Sequence, residues 1–574
     1  MKRSIKNIIM IVLIVLISSS MIVTMNIAKN DNASNLNIVQ NNNQGTPPEK
    51  PDDENNKPPE LPNEEQGELK ENSNSDSDEK RPEMQGQIET KGSDLSTTYY
   101  VIFGIESLIL SLLIIYLLMS NFNKKTIKET FTTGDKILII VLLTIILTFG
   151  LTFLDAYITK NIFLNNNSTN EQKNQSESIT YKGTKEITSS TTITDGEYES
   201  TTKDENTLLI SGNITANISN ITVTKTGDSD SGDNSNFYGN NSALLAKSGA
   251  NVTLDNITVK TEASGANGVF SYGGQATTNN SKSDGTTITI SNSKITTTGD
   301  NAGGIMTTGG GITKASNLTI STSGTSSAAI RTDRGGGTVT VDKGTYTTSG
   351  KGSPTIYSTA DITVSNATLT ATASEGIVIE GKNSVKIENC NLTDSNTTLN
   401  GQSTTYKNIF LYQSMSGDAA EGNATFTAIK SNITTNNGDT FYITNTTATI
   451  NLENNTITNN DASGNFLRAQ KDSWGTTGSN GGKVTLVMSN QEAIGNIVID
   501  SVSTINMTMK EKSYYEGTIN GDNTAKSIEL TIDKTSKIKL TGDSFVSSLT
   551  DEDTSYSNID FNGYKLYVNG TAIN

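Results

Sequence analysis

From about residue 180 to the C-terminus, the chain repeats one apolar pattern that constrains the fold more than any other feature. Two apolar residues separated by one residue are followed, after four residues, by a third apolar residue. The clearest copies are Val252/Leu254/Val259, Ile288/Ile290/Ile295, Val339/Val341/Tyr346, Ile362/Val364/Leu369, Val385/Ile387/Leu392 and Ile450/Leu452/Ile457. The shortest spacings are 21 to 24 residues. Several short strands in so short a period, without a helical period, predict the stacked coils of a parallel β-helix.

The composition suits such a coil. Only 33% of the residues are hydrophobic, and along a strand only every second side chain faces inward, so this fraction can still form a continuous core. The sequence therefore predicts an all-β ectodomain over 185–574, a right-handed parallel β-helix of about thirteen coils. At roughly 4.8 Å per coil the stack would be about 60 Å long.

An asparagine recurs four residues after the first apolar anchor, at positions 256, 292, 366, 389 and 454. Asparagine tolerates the left-handed conformation of a tight corner, and stacked asparagines can form hydrogen bonds from coil to coil. We therefore expect a structural corner at these positions. The single cysteine, Cys390, follows one of them and is interpreted as a small inward-facing side chain rather than a nucleophile.

The N-terminal third predicts membrane anchoring. Three apolar runs at 8–25, 101–119 and 137–154 approach the roughly 20 residues that cross a bilayer. Lysines and an arginine before the first run, and lysines between the second and third, place those flanks in the cytoplasm. We predict a signal-anchor or first transmembrane helix over 1–25, two further spans over 99–158 with a short basic cytoplasmic loop, and a multi-pass protein of the cell membrane. A cleaved signal peptide is the alternative for the first run.

Two polar segments separate these parts. Residues 26–98 contain seven of the eight prolines, with 16 acidic and 7 basic residues. Such a segment cannot bury enough apolar surface to offset its chain entropy, which predicts a disordered extracellular loop. Residues 159–184 are interpreted as a polar tether that leads to the extracellular coil.

Composition also excludes several kinds of chemistry. The chain has no histidine and one cysteine, so histidine-ligated metal sites, serine–histidine triads and intrachain disulfides are excluded. Its formal net charge of −17 argues against a nucleic-acid partner, because binding to phosphates depends on a basic surface.

Several stretches, among them SAAIRTDRGGGTVTV, GSPTIYSTADITVSNATL and EGIVIEGKNSV, resemble those of membrane-anchored, adhesin-like surface proteins of clostridia-like Gram-positive bacteria. These proteins belong to the pectate-lyase-like superfamily of right-handed parallel β-helices. The resemblance covers about 185–574. It implies the fold and a cell-surface location, and its broader relatives include polysaccharide lyases and carbohydrate-binding β-helices.

The strongest cluster of charged residues is Arg331, Asp333 and Arg334. Alternation along a strand places Arg331 and Asp333 on the same outward face. Three interpretations remain open: a surface ion pair, bidentate binding of an acidic sugar, and the basic centre of a calcium-dependent lyase.

Two loops supply further candidates. Asp228, Asp230 and Asp233 lie within six residues and are candidate calcium ligands, with a solvated loop as the alternative. Trp474 lies in a glycine-rich loop and Tyr238 in another, where their rings could contact a sugar or simply pack within the protein.

The sequence favours a non-catalytic, adhesin-like recognition protein that binds polysaccharide or another surface component and needs no cofactor, although calcium binding stays open. The alternatives are a calcium-dependent polysaccharide lyase on the same scaffold and a passive structural stalk.

Overall fold

The computed structural model describes residues 17, 102, 104–115, 144, 147, 148, 151, 152, 179–274, 283–401 and 403–574. The chain divides into two compact units, 1–171 and 172–574. In the first unit, residues 104–115 are helical. No helix among the described residues is long and apolar enough to cross a membrane. Most of the three predicted spans, the whole loop 26–98 and most of the tether lie outside the described residues.

The second unit is a parallel β-solenoid. The chain returns to the same faces in every coil, and each strand pairs in parallel with the equivalent strands of the coils before and after it. One wall is a 12-stranded sheet, here called sheet A. Its strands are β1 (Gly183–Ile187), β3 (Asn206–Ser211), β5 (Leu244–Lys247), β8 (Val269–Tyr272), β11 (Ile305–Thr308), β13 (Ile330–Thr332), β15 (Ile356–Ser358), β18 (Ile377–Glu380), β21 (Lys407–Tyr412), β24 (Asp439–Thr444), β27 (Leu467–Ala469) and β30 (Ile497–Ile499).

The rest of the wall is a 20-stranded sheet, sheet B, which bends to form two faces. Its strands are β2 (Thr191–Ser200), β4 (Thr215–Lys225), β6 (Asn251–Asp255), β7 (Thr258–Thr261), β9 (Thr287–Ser291), β10 (Lys294–Thr297), β12 (Gly311–Thr322), β14 (Gly337–Thr348), β16 (Asp361–Ser365), β17 (Thr368–Ala371), β19 (Ser384–Glu388), β20 (Asn391–Asp394), β22 (Asn423–Ile429), β23 (Asn432–Thr435), β25 (Thr446–Glu453), β26 (Thr456–Asn459), β28 (Gly482–Ser489), β31 (Thr504–Lys510), β33 (Ser527–Ile532) and β36 (Ser548–Asp551).

Two small sheets complete the C-terminal coils. Sheet C contains β29 (Glu492–Ile494), β32 (Tyr514–Gly517), β34 (Lys537–Leu540) and β37 (Ile559–Asp560). Sheet D contains β35 (Ser544–Val546), β38 (Leu566–Val568) and β39 (Thr571–Ala572). Strand β39 runs antiparallel to β38, so the chain turns back on itself at the end of the stack. This reversal occupies the backbone edge of β38, an edge at which a parallel stack could otherwise add another strand.

The described strands form fourteen coils rather than about thirteen. The additional coil is the first, formed by β2 and β3. The sequence pattern missed it because the only inward apolar side chains of β2 are Ile193 and Tyr198, among several charged residues. In β12 the inward positions before the bend are Thr313 and Ala315, which explains why the pattern found only Leu318 in that coil.

The core follows the predicted alternation. In β16, Ile362 is 1% exposed while its neighbour Thr363 is exposed. Ile362 stacks between Val339 of the preceding coil and Val385 of the next. A single apolar cluster built in this way runs from Ile187 to Leu566. The assignment of inward and outward positions is therefore confirmed.

The predicted asparagine corner is also confirmed. It joins the two faces of sheet B, and its residues have positive φ, for example 51° at Asn256 and 56° at Asn366. The side chains form hydrogen bonds between coils: Asn256 Nδ2 donates to Asn220 Oδ1 at 2.8 Å, and Asn317 Nδ2 donates to Asn292 Oδ1 at 2.9 Å. The same corner is taken by a lysine at 343 and at 430.

Directly after this corner, buried side chains accept hydrogen bonds from backbone amides of the preceding coil. The amide of Cys390 donates to Ser431 Oγ at 3.1 Å, that of Ser431 to Asn455 Oδ1 at 2.9 Å, and that of Asn455 to Gln491 Oε1 at 2.9 Å. The series continues through Ser513 to Ser536. Cys390 is buried in this row, as predicted.

Candidate functional site

The outward surface of sheet A differs from the threonine-rich outward surface of sheet B. One register row across sheet A carries mostly large side chains that are buried or half-buried because loops cover them. We call it the outer row; it consists of Leu209, Leu245, Phe270, Met306, Arg331, Tyr357, Val378, Phe410, Tyr442, Arg468 and Val498. All three predicted residues of the Arg331 cluster lie in or beside this row.

A short helix, Gly232–Tyr238, covers the first part of the outer row. Ser231 caps its N-terminus by accepting a hydrogen bond from the amide of Asn234. Tyr238 is 2% exposed, and its ring packs edge-on against that of Tyr272 with centroids 5.8 Å apart. The protein's own side chains therefore cover the Tyr238 ring.

Arg331 and Asp333 form the expected pair, but under cover of the protein. Arg331 Nη2 donates to Asp333 Oδ2 at 2.7 Å, and its Nη1 donates to the carbonyl of Ser326 at 3.0 Å. The guanidinium also lies 5.6 Å from the centre of the Tyr357 ring. Burial raises the pKa of Asp333 to about 6, although the pair with Arg331 opposes this shift. The guanidinium is thus held by groups of this chain.

Arg334 fastens a loop over the same surface. We call residues 413–422, between β21 and β22, the strap. Asp418 Oδ1 in the strap accepts charge-assisted hydrogen bonds from both Arg334 Nε, at 3.1 Å, and Nη2, at 2.7 Å. On its other side, the Arg334 guanidinium lies 3.9 Å from the centre of the Phe237 ring. Arg334 therefore joins the strap to the short helix.

A buried carboxylate forms the second attachment of the strap. Glu380 is 1% exposed, and its Oε2 accepts hydrogen bonds from Tyr357 Oη at 2.5 Å and Tyr412 Oη at 3.0 Å. Its Oε1 accepts a hydrogen bond from Ser414 Oγ of the strap. Burial, together with the neighbouring carboxylate, raises the pKa of Tyr357 and of Tyr412 well above the ordinary value for tyrosine. Both hydroxyls therefore keep their protons and donate them in hydrogen bonds.

Trp474 holds the strap from the other side. Its Nε1 donates to the carbonyl of Gln413 at 2.9 Å, and Asn445 Nδ2 donates to the same carbonyl at 2.9 Å. The indole packs edge-on against Tyr412 with centroids 6.3 Å apart. Trp474 is half-buried, and its loop, residues 470–481, lies beside the strap. We call this segment the Trp474 loop.

An open cleft of about 420 Å³ lies between the strap and the Trp474 loop. This volume falls in the range of roughly 300–1,000 Å³ of small-molecule sites. The cleft is lined by Gln413, Met415, Glu421, Gly422, Asn445, Thr446, Thr447, Gly475, Thr476, Ser479, Gly481 and Lys483. Its floor is the beginning of β25 and β28, where Thr447 and Lys483 are register partners. Most of the lining groups are hydroxyls, amides and backbone.

The three aspartates proposed for calcium do not converge. Asp228 Oδ1 accepts a hydrogen bond from the amide of Ser264 at 2.8 Å, and Asp230 forms an ion pair with Lys203. Asp233 is exposed in the first turn of the short helix. Across the described residues, no three carboxylate or thiolate groups gather to hold a metal ion. The loop geometry fits the solvated alternative better than a cation site.

Two buried ionisable groups of the coil carry no signal in the sequence pattern. Lys407 is fully buried, 3.6 Å from Glu375, and its ammonium lies 4.5 Å from the centre of the Phe410 ring. Desolvation lowers its pKa. Asp394, the last residue of β20, is buried, and its Oδ1 has no hydrogen-bond partner among the described residues. Burial raises the pKa of Asp394 to about 9.

The structure thus brings Arg331, Asp333, Arg334 and Trp474 to one loop-covered wall, and leaves Asp228, Asp230 and Asp233 in a separate loop. The coil spacing could have revealed Tyr357, because it follows Arg331 by 26 residues and is its register partner. The coil spacing gave no such signal for Asp418 and Glu421, because both lie in the strap, which does not repeat. It gave none for Lys483 in β28 either. Comparison of the chain with protein-family models, curated proteins and solved structures found no match.

Proposed function

We propose that this protein is a surface-displayed recognition protein that binds polysaccharide without cleaving it. The observation that carries the proposal is the cleft between the strap and the Trp474 loop. Here two insertions, the strap and the Trp474 loop, lie side by side and create a concave site rich in hydroxyl and amide groups. Polar groups that converge in a cleft are what a hydroxyl-rich ligand requires.

The charged cluster supports binding over catalysis. In the Arg331 cluster, which was the candidate basic centre of a lyase, no guanidinium is free to act as a base. Arg331 is held by Asp333 and the Ser326 carbonyl, and Arg334 is held by Asp418. The calcium-dependent lyase is therefore the weaker candidate, and the passive stalk leaves the cleft without a role.

The remaining expectations belong to the same proposal. We place the solenoid outside the cell, anchored by transmembrane segments in 1–158, because the apolar runs and flanking lysines favour that topology. We assign the coil a right-handed path, since parallel connections within one sheet take that hand almost without exception. The sequence resemblance to adhesin-like β-helix proteins of Gram-positive bacteria agrees with both assignments.

The test is to incubate the full-length protein, purified in detergent, with a glycan microarray and, separately, with soluble polysaccharides. Retention on glycans without release of unsaturated, ultraviolet-absorbing oligosaccharides is the expected result. Calcium-dependent release of such products, abolished by Arg331→Ala, would instead establish the lyase.

A further inference from the structure

The cleft carries one exposed charge of each sign. Glu421 lies at the end of the strap, two residues before β22, and Lys483 lies at the start of β28. Neither side chain forms an ion pair or a hydrogen bond with any other residue that the structure describes. Both groups therefore remain available to a ligand.

The strand register shows how far apart the two ends of the cleft floor lie. The starts of β22, β25 and β28 are consecutive rungs, because Asn423 pairs with Thr447 and Thr447 pairs with Lys483. The strand start beside Glu421 and the one that carries Lys483 thus lie two rungs apart, or ~10 Å along the axis. This separation is close to the screening length of physiological salt, so the two charges neutralise each other little.

The chemistry between these charges is neutral. Thr447 and Ser479 present hydroxyls, Asn445 presents an amide, and Met415 is 71% exposed at the lip. The thioether offers an apolar contact of the kind that the C–H face of a sugar ring makes, and the hydroxyls and amide can both donate and accept.

A polyanion lacks a matching surface at this site. The three arginines of the wall, Arg331, Arg334 and Arg468, are already paired with Asp333, Asp418 and Asp439. Lys483 is the one cation among the residues that line the cleft, and the chain as a whole has a net charge of −17, which repels an acidic polymer over long range.

We propose that the cleft selects a neutral, hydroxyl-rich polysaccharide, with Lys483 donating to sugar oxygens at one end and Glu421 accepting from sugar hydroxyls at the other. This inference rests on the proposed function, because it names the class of ligand for the same site. A charged group that forms a hydrogen bond to a neutral ligand keeps its contact at high salt, whereas binding of a polyanion weakens as salt rises.

The test uses the full-length protein in detergent on a microarray that carries neutral glucans, mannans and galactans beside polygalacturonate and alginate, at low and at high salt. We expect retention on one or more neutral polymers with little salt dependence. Lys483→Ala and Glu421→Gln should each weaken retention about tenfold, the usual effect of losing a hydrogen bond to a charged group. The matched controls Lys314→Ala in β12 and Glu197→Gln in β2 remove exposed charges far from the cleft and should change nothing.

Two kinds of failure are distinguishable. Retention on the acidic polymers alone, or retention on neutral polymers that both cleft variants leave unchanged, overturns this inference while polysaccharide recognition stands. Retention on no polysaccharide at all overturns the proposed function together with it.

Discussion

Ile362 and Thr363 provide a sharp test of the coil register, because they are neighbours in β16 and point to opposite sides of the wall. Ile362→Ala removes three carbon atoms from the core. At ~0.8 kcal/mol for each buried methylene this costs about 2.4 kcal/mol, and the cavity left between Val339 and Val385 raises the total to about 3–4 kcal/mol. Thr363→Ala trims an exposed strand residue and should cost less than about 1 kcal/mol.

Hydrogen–deuterium exchange of the full-length protein, followed by mass spectrometry, suits this test. Long repeat arrays can open locally rather than as one unit, so a global unfolding curve would average the effect. We expect Ile362→Ala to speed exchange in β14, β16 and β19 on the order of a hundredfold or more. Thr363→Ala should change it no more than a few-fold. Comparable effects of the two substitutions, or a larger effect at Thr363, would refute the assigned register.

Three further predictions concern the corner, the core and the topology. Asn366→Ala should lower the local free energy of unfolding, measured by hydrogen–deuterium exchange, by about 1–2 kcal/mol. Asn366→Gly should lower it by less. Both variants lose the hydrogen bond to Asp342, but glycine adopts the φ of 56° without strain. In the folded protein the pKa of Asp394 is about 9, above its value in the unfolded chain. The folded state therefore holds this proton more tightly, and the resulting contribution to stability is full below about pH 4 and is lost as the pH rises towards 9. Asp394→Asn should therefore flatten the unfolding free energy against pH and, above pH 7, be the more stable protein by on the order of a few kcal/mol; equal profiles would contradict this. Protease added to intact cells should remove residues beyond about 160, and a protected C-terminal region would contradict the proposed topology.

The repeat made the core predictable because a stacked coil imposes the same demands at every turn. Ile362 and Val385 occupy equivalent positions, so one register error would have exposed the whole set. The asparagine corner was predictable for the same reason, since a fixed left-handed position recurs at a fixed offset.

The site was less predictable because its parts do not repeat. Arg331 and Asp333 could be paired from strand alternation, but Asp418 reaches Arg334 from 84 residues away through a loop of no regular pattern. Tyr238 was read as a loop aromatic, although Ser231 and Gly239 bracket a short helix as cap residues do. Those two caps were a usable signal for the helix.

The buried side chains that directly follow the asparagine corner, and accept hydrogen bonds from amides of the preceding coil, give the solenoid a polarity. Each corner amide in the series from Cys390 to Ser513 finds its acceptor on the coil that follows it in the chain. The amide of Ser536 ends the series by donating to Asp533 within its own coil, at 2.8 Å. Deleting coils from the C-terminal end would therefore strip an acceptor from the last coil retained, whereas deleting them from the N-terminal end would leave every remaining amide of this row satisfied. In a chain that emerges N-terminus first, the amide of each coil in this row therefore gains its acceptor only when the next coil has formed.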